Sequence, residues 1–420
     1  MAESLDDRLA AATEWEQLLT EVRQVDGLHD FLRPPVLDDL RPTGEGPVVL
    51  VNVGRSRCHA LIVTDTGVRA VELPGTDRNG VNDTARNYLL ALQAVEEAQS
   101  RLLELSRELT TGTAPPEAFE AYLAAEASYA ESRSAVEKTL RTTLGWLWDH
   151  VAGPVVRALD LSPRPDGKAP RLWWCPSGLL TLLPLHAAGR PGPDGGSLLD
   201  LCVPSYTPSL RALHHARRRG PATGRRMLAV TLPETPGQAP LPNVKRERTL
   251  LEGLFEPEAR TVLTDGEATR AHVRSRLPGH QYFHFSCHGL QNLNRPSNAG
   301  LVLADGTLTV ADLVADSFQA EFAFLSACKT ATGGLALADE AITLAAALHH
   351  LGCRHVLATL WSVSDAAAAF VAERVYAGLA GPDGLAVDGS ARALHAAVLE
   401  LRALHPDEPS LWTPFTHTGP

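Results

Sequence analysis

Apolar positions change rhythm several times along the chain. Residues 2–32 set Leu5, Leu9, Trp15, Leu18, Leu19 and Val22 at helical spacing and stop at Arg33-Pro34-Pro35, which predicts a helical segment and linker over 1–46. From Pro47 the runs PVVLVNV, CHALIVT and VRAVEL, separated by Gly-Arg-Ser-Arg and Asp-Thr-Gly, predict a small strand meander. Two long stretches, Asn82–Leu109 and Pro116–His150, return to helical spacing and are rich in Ala, Glu and Leu.

RLWWCPSGLLTLLPLHAAG, from Arg171, predicts a buried strand followed by an irregular apolar segment, and Leu201–Ser205 a further short strand. After an Arg/Gly/Pro loop near residue 220, strands and helices take turns. MLAVTL leads into the helix VKRERTLLEGLF, and Thr261–Leu263 into a helix over Glu267–Leu277. Two buried strands follow, Tyr282–Cys287 and Phe322–Ala327, then a helix Asp339–Leu351, the strand HVLATLW and a helix Ala366–Leu379. Alternation of this kind argues for an α/β fold, a mostly parallel sheet flanked by helices. The chain then divides into 1–46, a half over 47–205 and a second half over 206–420.

Two of these strands end in reactive side chains. Tyr282–Cys287 stops at His288-Gly289, and Phe322–Ala327 stops at Cys328 and a Thr/Gly-rich stretch. Ligand crevices of open α/β sheets lie at the carboxyl ends of the strands, so neighbouring strands would bring His288 and Cys328 together. A histidine beside a cysteine is a general base beside a sulfur nucleophile. Taken alone, His288 also reads as a hydrogen-bonded core residue, and Cys328 as a small buried hydrophobe. Period-two alternation puts His284, Ser286 and His288 on one face and Phe283, Phe285 and Cys287 on the other, so Cys328 rather than Cys287 is the sulfur His288 can serve. Lys329 and the N–H groups of the turn favour a thiolate, and the N–H groups of Gly289 and Cys328 are candidate oxyanion donors.

Composition narrows the classes. The net charge is −11 and no basic cluster is interleaved with aromatics, so nucleic acid is not an expected partner. No apolar stretch is long enough to span a bilayer and MAESLDDR has no signal-peptide character, which predicts a cytoplasmic protein without a membrane partner. The six cysteines lack C-x-x-C pairs, and most lie in apolar runs as buried, reduced thiols. Cys287-His288, His349-His350 and Cys353-x-His355 do not make the paired short spacings of a zinc site, and no Walker A, G-x-G-x-x-G or G-x-S-x-G motif follows a strand. No metal or cofactor is expected.

HFSCHG, FLSACKTATGG, DEAITLAAALHHLGCRHVLATLWSVSD and WTPFTHTG, with RLWWCPSGLLTLLPLHAA, VPSYTPSL and PLPNVKRERTLLEGLF ahead of them, closely resemble the CHAT family of caspase- and separase-like cysteine peptidases over roughly Pro47–Pro420. The resemblance implies a caspase-like, mostly parallel sheet flanked by helices, preceded by a degenerate protease-like half with strands and two long helices. It implies His288 as catalytic base and Cys328 as nucleophile. Trp361-Ser362-Val363-Ser364-Asp365 matches the separase motif whose Asp binds a basic side chain before the scissile bond, so Asp365 is the candidate floor of the S1 pocket. Its alternative role is an N-cap for the helix from Ala366, and Asp339 reads as a helix N-cap. Lys329 stands where an acidic residue is commoner in the family. Members often carry tetratricopeptide repeats ahead of this domain, and residues 1–46 leave no room for them; a stand-alone form or one part of a longer protein or operon is expected. The implied partners are a protein substrate and a regulatory or sensor protein, as in bacterial defence and signalling peptidases. The rival expectation is a catalytically silent CHAT scaffold.

Overall fold

The structure, a computed structural model, describes residues 5–420 apart from 27, 30, 34, 43–44, 56, 111–115, 165–168, 191–195, 221, 223, 237, 292–294, 315–317, 328–342 and 382–383. Cys328, Lys329 and Asp339 therefore lie outside the described residues. The chain forms two compact units, Met1–Arg41 and Pro42–Pro420. The first holds helix α1 (Leu5–Val22) and the short α2 (Leu37–Leu40).

The second unit is built on one sheet. Its strands are β1 (Val48–Val53), β2 (Cys58–Val63), β3 (Val68–Leu73), β4 (Arg171–Pro176), β5 (Val203–Tyr206), β6 (Met227–Thr231), β7 (Arg260–Thr264), β8 (Tyr282–Ser286), β12 (Ala320–Ser326), β13 (Cys353–Thr359) and β16 (Phe415–Thr418). Between β8 and β12 the chain makes a separate ribbon of β9 (His288–Leu290), β10 (Gly300–Leu303) and β11 (Gly306–Thr309), and Ala380–Gly381 and Gly384–Leu385 form the two-residue β14 and β15. Among the described residues the large sheet runs β3-β2-β1-β4-β5-β16-β13-β12-β8-β6-β7. Within it, among the described residues, only β1–β2, β2–β3 and β13–β16 pair antiparallel. The fold is thus the mixed α/β class the alternation implies, with a sheet that is mostly parallel.

The meander β1–β3 forms where the sequence places it, in a register that runs from Val48 opposite Val63 to Val53 opposite Cys58. Helices α3 (Arg78–Thr110) and α4 (Pro116–Leu147) form an antiparallel hairpin whose Tyr88 and Leu140 pack with Val49, Val51 and Trp174. The sheet crosses the 205/206 boundary through β5 and β16, and Trp361 joins the core of the first half, its ring centroid 5.7 Å from that of Tyr88.

In the second half both faces of the sheet are covered, which is why β8 and most of β12 are buried without interruption. The remaining helices are α5 (Gly153–Ala158), α6 (Leu210–Arg218), α7 (Val244–Leu254), α8 (Arg270–Arg276), α9 (Val310–Val314), α10 (Leu344–Leu351), α11 (Asp365–Leu379), α12 (Ser390–Leu404) and α13 (Pro409–Trp412). Phe283, Phe285, Ala323 and Leu325 meet α8, α9 and α10 on one face, while Tyr282, Phe322 and Phe324 meet α7, α11 and α12 on the other. Burying one such Phe contributes about 2–3 kcal/mol. Among the described residues no helix is long and apolar enough to cross a membrane.

Several histidines are buried as neutral rings. Burial holds His186 and His349 down at about 4, and burial likewise lowers His355 and lowers His417 far below the ordinary value. Because the folded rings resist protonation, the unfolded chain takes up protons first as pH falls below about 6.5. Stability is therefore kept above that pH and lost progressively towards pH 4. A melting temperature lower by about 10 °C at pH 5 than at pH 7 is expected in a thermal scan, from a few kcal/mol of linkage; a flat profile would contradict it.

Candidate active site

The two strands that end in the candidate dyad are neighbours. β8 and β12 pair parallel with Phe322 opposite Tyr282 and Ser326 opposite Ser286, so both carboxyl ends reach the same edge in a constant offset of forty residues. β6 flanks β8 on the other side, with Thr231 opposite Ser286. The Thr359 hydroxyl donates to the carbonyl of Ala327 at 2.9 Å, tying the end of β13 to the residue before Cys328.

His288 does not prolong the alternation of β8. The strand ends at Ser286, and His288 opens the ribbon, pairing with Val302 while Gly289 pairs with Leu301. The ring is half-buried, and its Nε2 lies 2.7 Å from the carbonyl oxygen of Ala239. A carbonyl can only accept, so Nε2 carries the proton and Nδ1 keeps the lone pair of a base. Ala239 lies in the turn-rich segment between β6 and α7, fixed by Leu241 N–H donating to Pro233 O at 2.8 Å and Gln238 N–H to Thr235 O at 3.0 Å. Sequence reasoning missed this carbonyl because a backbone acceptor carries no residue signature.

Asp365 is not an N-cap. Ser364 caps α11, its hydroxyl accepting from Ala367 N–H at 3.2 Å, and Asp365 is the first helical residue. Its Oδ2 instead accepts from the N–H and the Nδ2 of Asn243, at 2.6 and 2.8 Å. For α10 the N-cap of the described helix is Thr343, which accepts from Ala346 N–H at 2.9 Å.

His288, Gly289 and Asp365 line one cavity of about 880 Å³. Gln238–Leu241 forms one wall, and α3 supplies another through Glu96, Glu104, Arg107 and Glu108. The first half of the chain thus builds part of the cleft. The Ser362 hydroxyl donates to Glu96 at 2.9 Å, and the Arg107 guanidinium to the Gln238 carbonyl at 3.3 Å, so this wall is fastened to both segments that flank His288. Four carboxylates, Glu96, Glu104, Glu108 and Asp365, face one guanidinium there.

Four of the other thiols are poor nucleophiles. Burial pushes Cys175 up to about 11 and raises Cys58, Cys202 and Cys353. His349 Nδ1 donates to the Cys353 carbonyl at 3.0 Å, and among the described residues no three His, Cys, Asp or Glu side chains are placed to hold a metal.

A second polar cluster escaped the sequence reading. Glu247 of α7 is 1% exposed and meets His284, Ser286 and Ser326. The signal was present: Val244, Glu247 and Leu251 share one helical stripe, which puts a carboxylate where an apolar residue is expected.

No curated protein matches the chain. Two crystal structures of the Saccharomyces cerevisiae separase–securin complex have a similar fold. One covers 91% of this chain at 11% identity with a TM-score of 0.56, the other 97% at 12% identity with a TM-score of 0.55. The chain spans about 30% of the length of those separase chains, 30% of the first and 31% of the second. The sequence profile described as CHAT domain matches residues 141–420, from within α4 through every strand of the second half. The chain belongs to the CHAT domain family.

Proposed function

We propose that this chain is a cysteine endopeptidase in which His288 and Cys328 act as a dyad. The observation that carries the reading is the parallel pairing of β8 with β12, which brings to one edge of the sheet the two strand ends that precede His288 and Cys328. His288 Nδ1 takes the proton of the Cys328 thiol, and the thiolate forms a bond to the scissile carbonyl carbon. The Ala239 carbonyl holds the imidazole through Nε2 and stabilises the imidazolium. N–H groups of Gly289 and Cys328 hold the oxyanion. The imidazolium returns its proton to the leaving amine as the C–N bond breaks. Water, deprotonated by the same ring, then hydrolyses the thioester.

The surplus of carboxylates in the cavity fits a basic substrate segment, and Asp365 fits the floor of an S1 pocket for Arg or Lys. The separase structures are complexes with securin, and the cleft here likewise suits a protein substrate or a protein regulator. The family resemblance favours a signal-activated role in bacterial defence or signalling, and cysteines without paired spacing fit a reducing, cytoplasmic setting.

The test is alkylation by iodoacetamide at neutral pH followed by peptide mapping. Cys328 is expected to label at least ten times faster than any buried cysteine, and His288→Ala to remove that advantage. Uniformly slow labelling together with no cleavage of a basic peptide panel would mark a silent scaffold instead.

A further inference from the structure

We infer that Glu247 is a positioning residue for the dyad, clamping together the two strand ends from which His288 and Cys328 emerge. Its Oε1 accepts from the hydroxyl of Ser286 at 2.9 Å and from that of Ser326 at 3.1 Å. Those two serines face each other in the last rung of the β8–β12 ladder. Each stands two residues before a member of the dyad.

The position matters because main-chain pairing between these strands ends there. Beyond Ser286 the chain turns into the ribbon, where His288 pairs with β10 rather than with β12. A single buried oxygen shared by both serines continues the link where the ladder stops. Glu247 comes from α7 and stands four residues after Asn243, the residue that holds Asp365. The segment from Ala239 to Glu247 thus reaches the imidazole, the S1 carboxylate and both strand ends.

Stability alone does not account for a carboxylate here. Burying one costs several kcal/mol, and well-packed apolar replacements of buried charge networks are often neutral or stabilising. The other oxygen, Oε2, is 2.9 Å from His284 Nε2 in a contact outside hydrogen-bond geometry, and His284 Nδ1 is 3.0 Å from the Tyr376 hydroxyl. His284 stacks on Phe324 of β12, with ring centroids 5.4 Å apart, so the cluster grips both strands by side chains as well.

The inference rests on the peptidase reading, and its test separates the two. Iodoacetamide alkylation of Cys328 and steady-state cleavage are measured in wild type, Glu247→Met, Glu247→Gln and the double variant Ser286→Ala/Ser326→Ala. Glu247→Met keeps the volume and removes the acceptor, so alkylation and kcat are expected to fall by about a hundredfold with KM within a factor of about two, as for a misplacement near 1 Å. Glu247→Gln keeps an oxygen for both hydroxyls and is expected to recover to within about threefold of wild type. The double variant, which leaves Glu247 and His284 in place, is expected to lose about tenfold and decides the matter if Glu247→Met does not fold. Folded variants that alkylate and cleave at wild-type rates would overturn the clamp. If wild type itself neither alkylates at Cys328 nor cleaves, the dyad reading fails. Hydrogen exchange at amides 287–289 then judges the clamp: faster exchange in the double variant supports it, and unchanged protection removes it.

Discussion

In a His288→Ala variant kcat/KM is expected to fall by about three to five orders of magnitude, and in Cys328→Ala cleavage is expected to vanish. In the proposed dyad the thiol is a weak nucleophile until its proton leaves, and the ring whose Nε2 is engaged by Ala239 would offer Nδ1 to take it. Loss of the ring removes the base for attack and the acid for departure of the amine, and both losses fall on kcat. Loss of the sulfur removes the covalent intermediate. If the two residues act as one unit, as proposed, the double variant is expected to be no worse than Cys328→Ala. Cleavage kinetics on one Arg-containing peptide would check this, and full additivity of the two losses would count against a dyad.

The second large effect concerns Asp365. Replacement by Asn keeps an oxygen that can accept from the Asn243 N–H and Nδ2, which bond the carboxylate at 2.6 and 2.8 Å, while removing the charge. Discrimination between Arg and an uncharged isostere in the residue before the scissile bond is expected to drop by about a hundredfold or more, through kcat/KM for the Arg substrate alone. A carboxylate opposite a guanidinium makes paired, charge-assisted bonds that no neutral side chain reproduces. Asp365→Ala would confound this by freeing Asn243 and the loop that carries Ala239, so the Asn variant is the cleaner test. Unchanged Arg preference in Asp365→Asn would return the residue to a purely architectural role, fastening α11 to the segment before α7.

Much of the frame was legible from pattern alone. The meander follows from three apolar runs with turn residues between them, and the parallel half from aromatic and β-branched runs alternating with helices. The neighbouring of β8 and β12 entered only as a condition, since two buried runs ending in reactive residues do not fix the strand order that the sheet supplies. Less legible was anything held by polar satisfaction. Phe415–Thr418 is fully buried yet mostly polar, and it reads as no strand because its side chains find partners far away in sequence. His417 Nδ1 lies 2.7 Å from the Ser205 hydroxyl and its Nε2 3.1 Å from His355, while Thr416 donates to the Ala358 carbonyl at 3.2 Å. The cap that stood as the alternative for Asp365 falls to Ser364 for a similar reason: both are good N-caps, and only the helix start decides between them.

β16 has a consequence for how the molecule assembles. It sits between β5 and β13, and Thr418 pairs with Tyr206 while Trp173 Nε1 donates to the Gly419 carbonyl at 2.8 Å. Each flank can zip up from local neighbours, but the seam closes only when a strand some two hundred residues downstream arrives. Until then two raw rims of N–H and C=O groups stand open to pairing with other chains. Such distant closure is intrinsically slow, so the join is expected to form late in refolding and to be the place where this protein aggregates if that step is delayed.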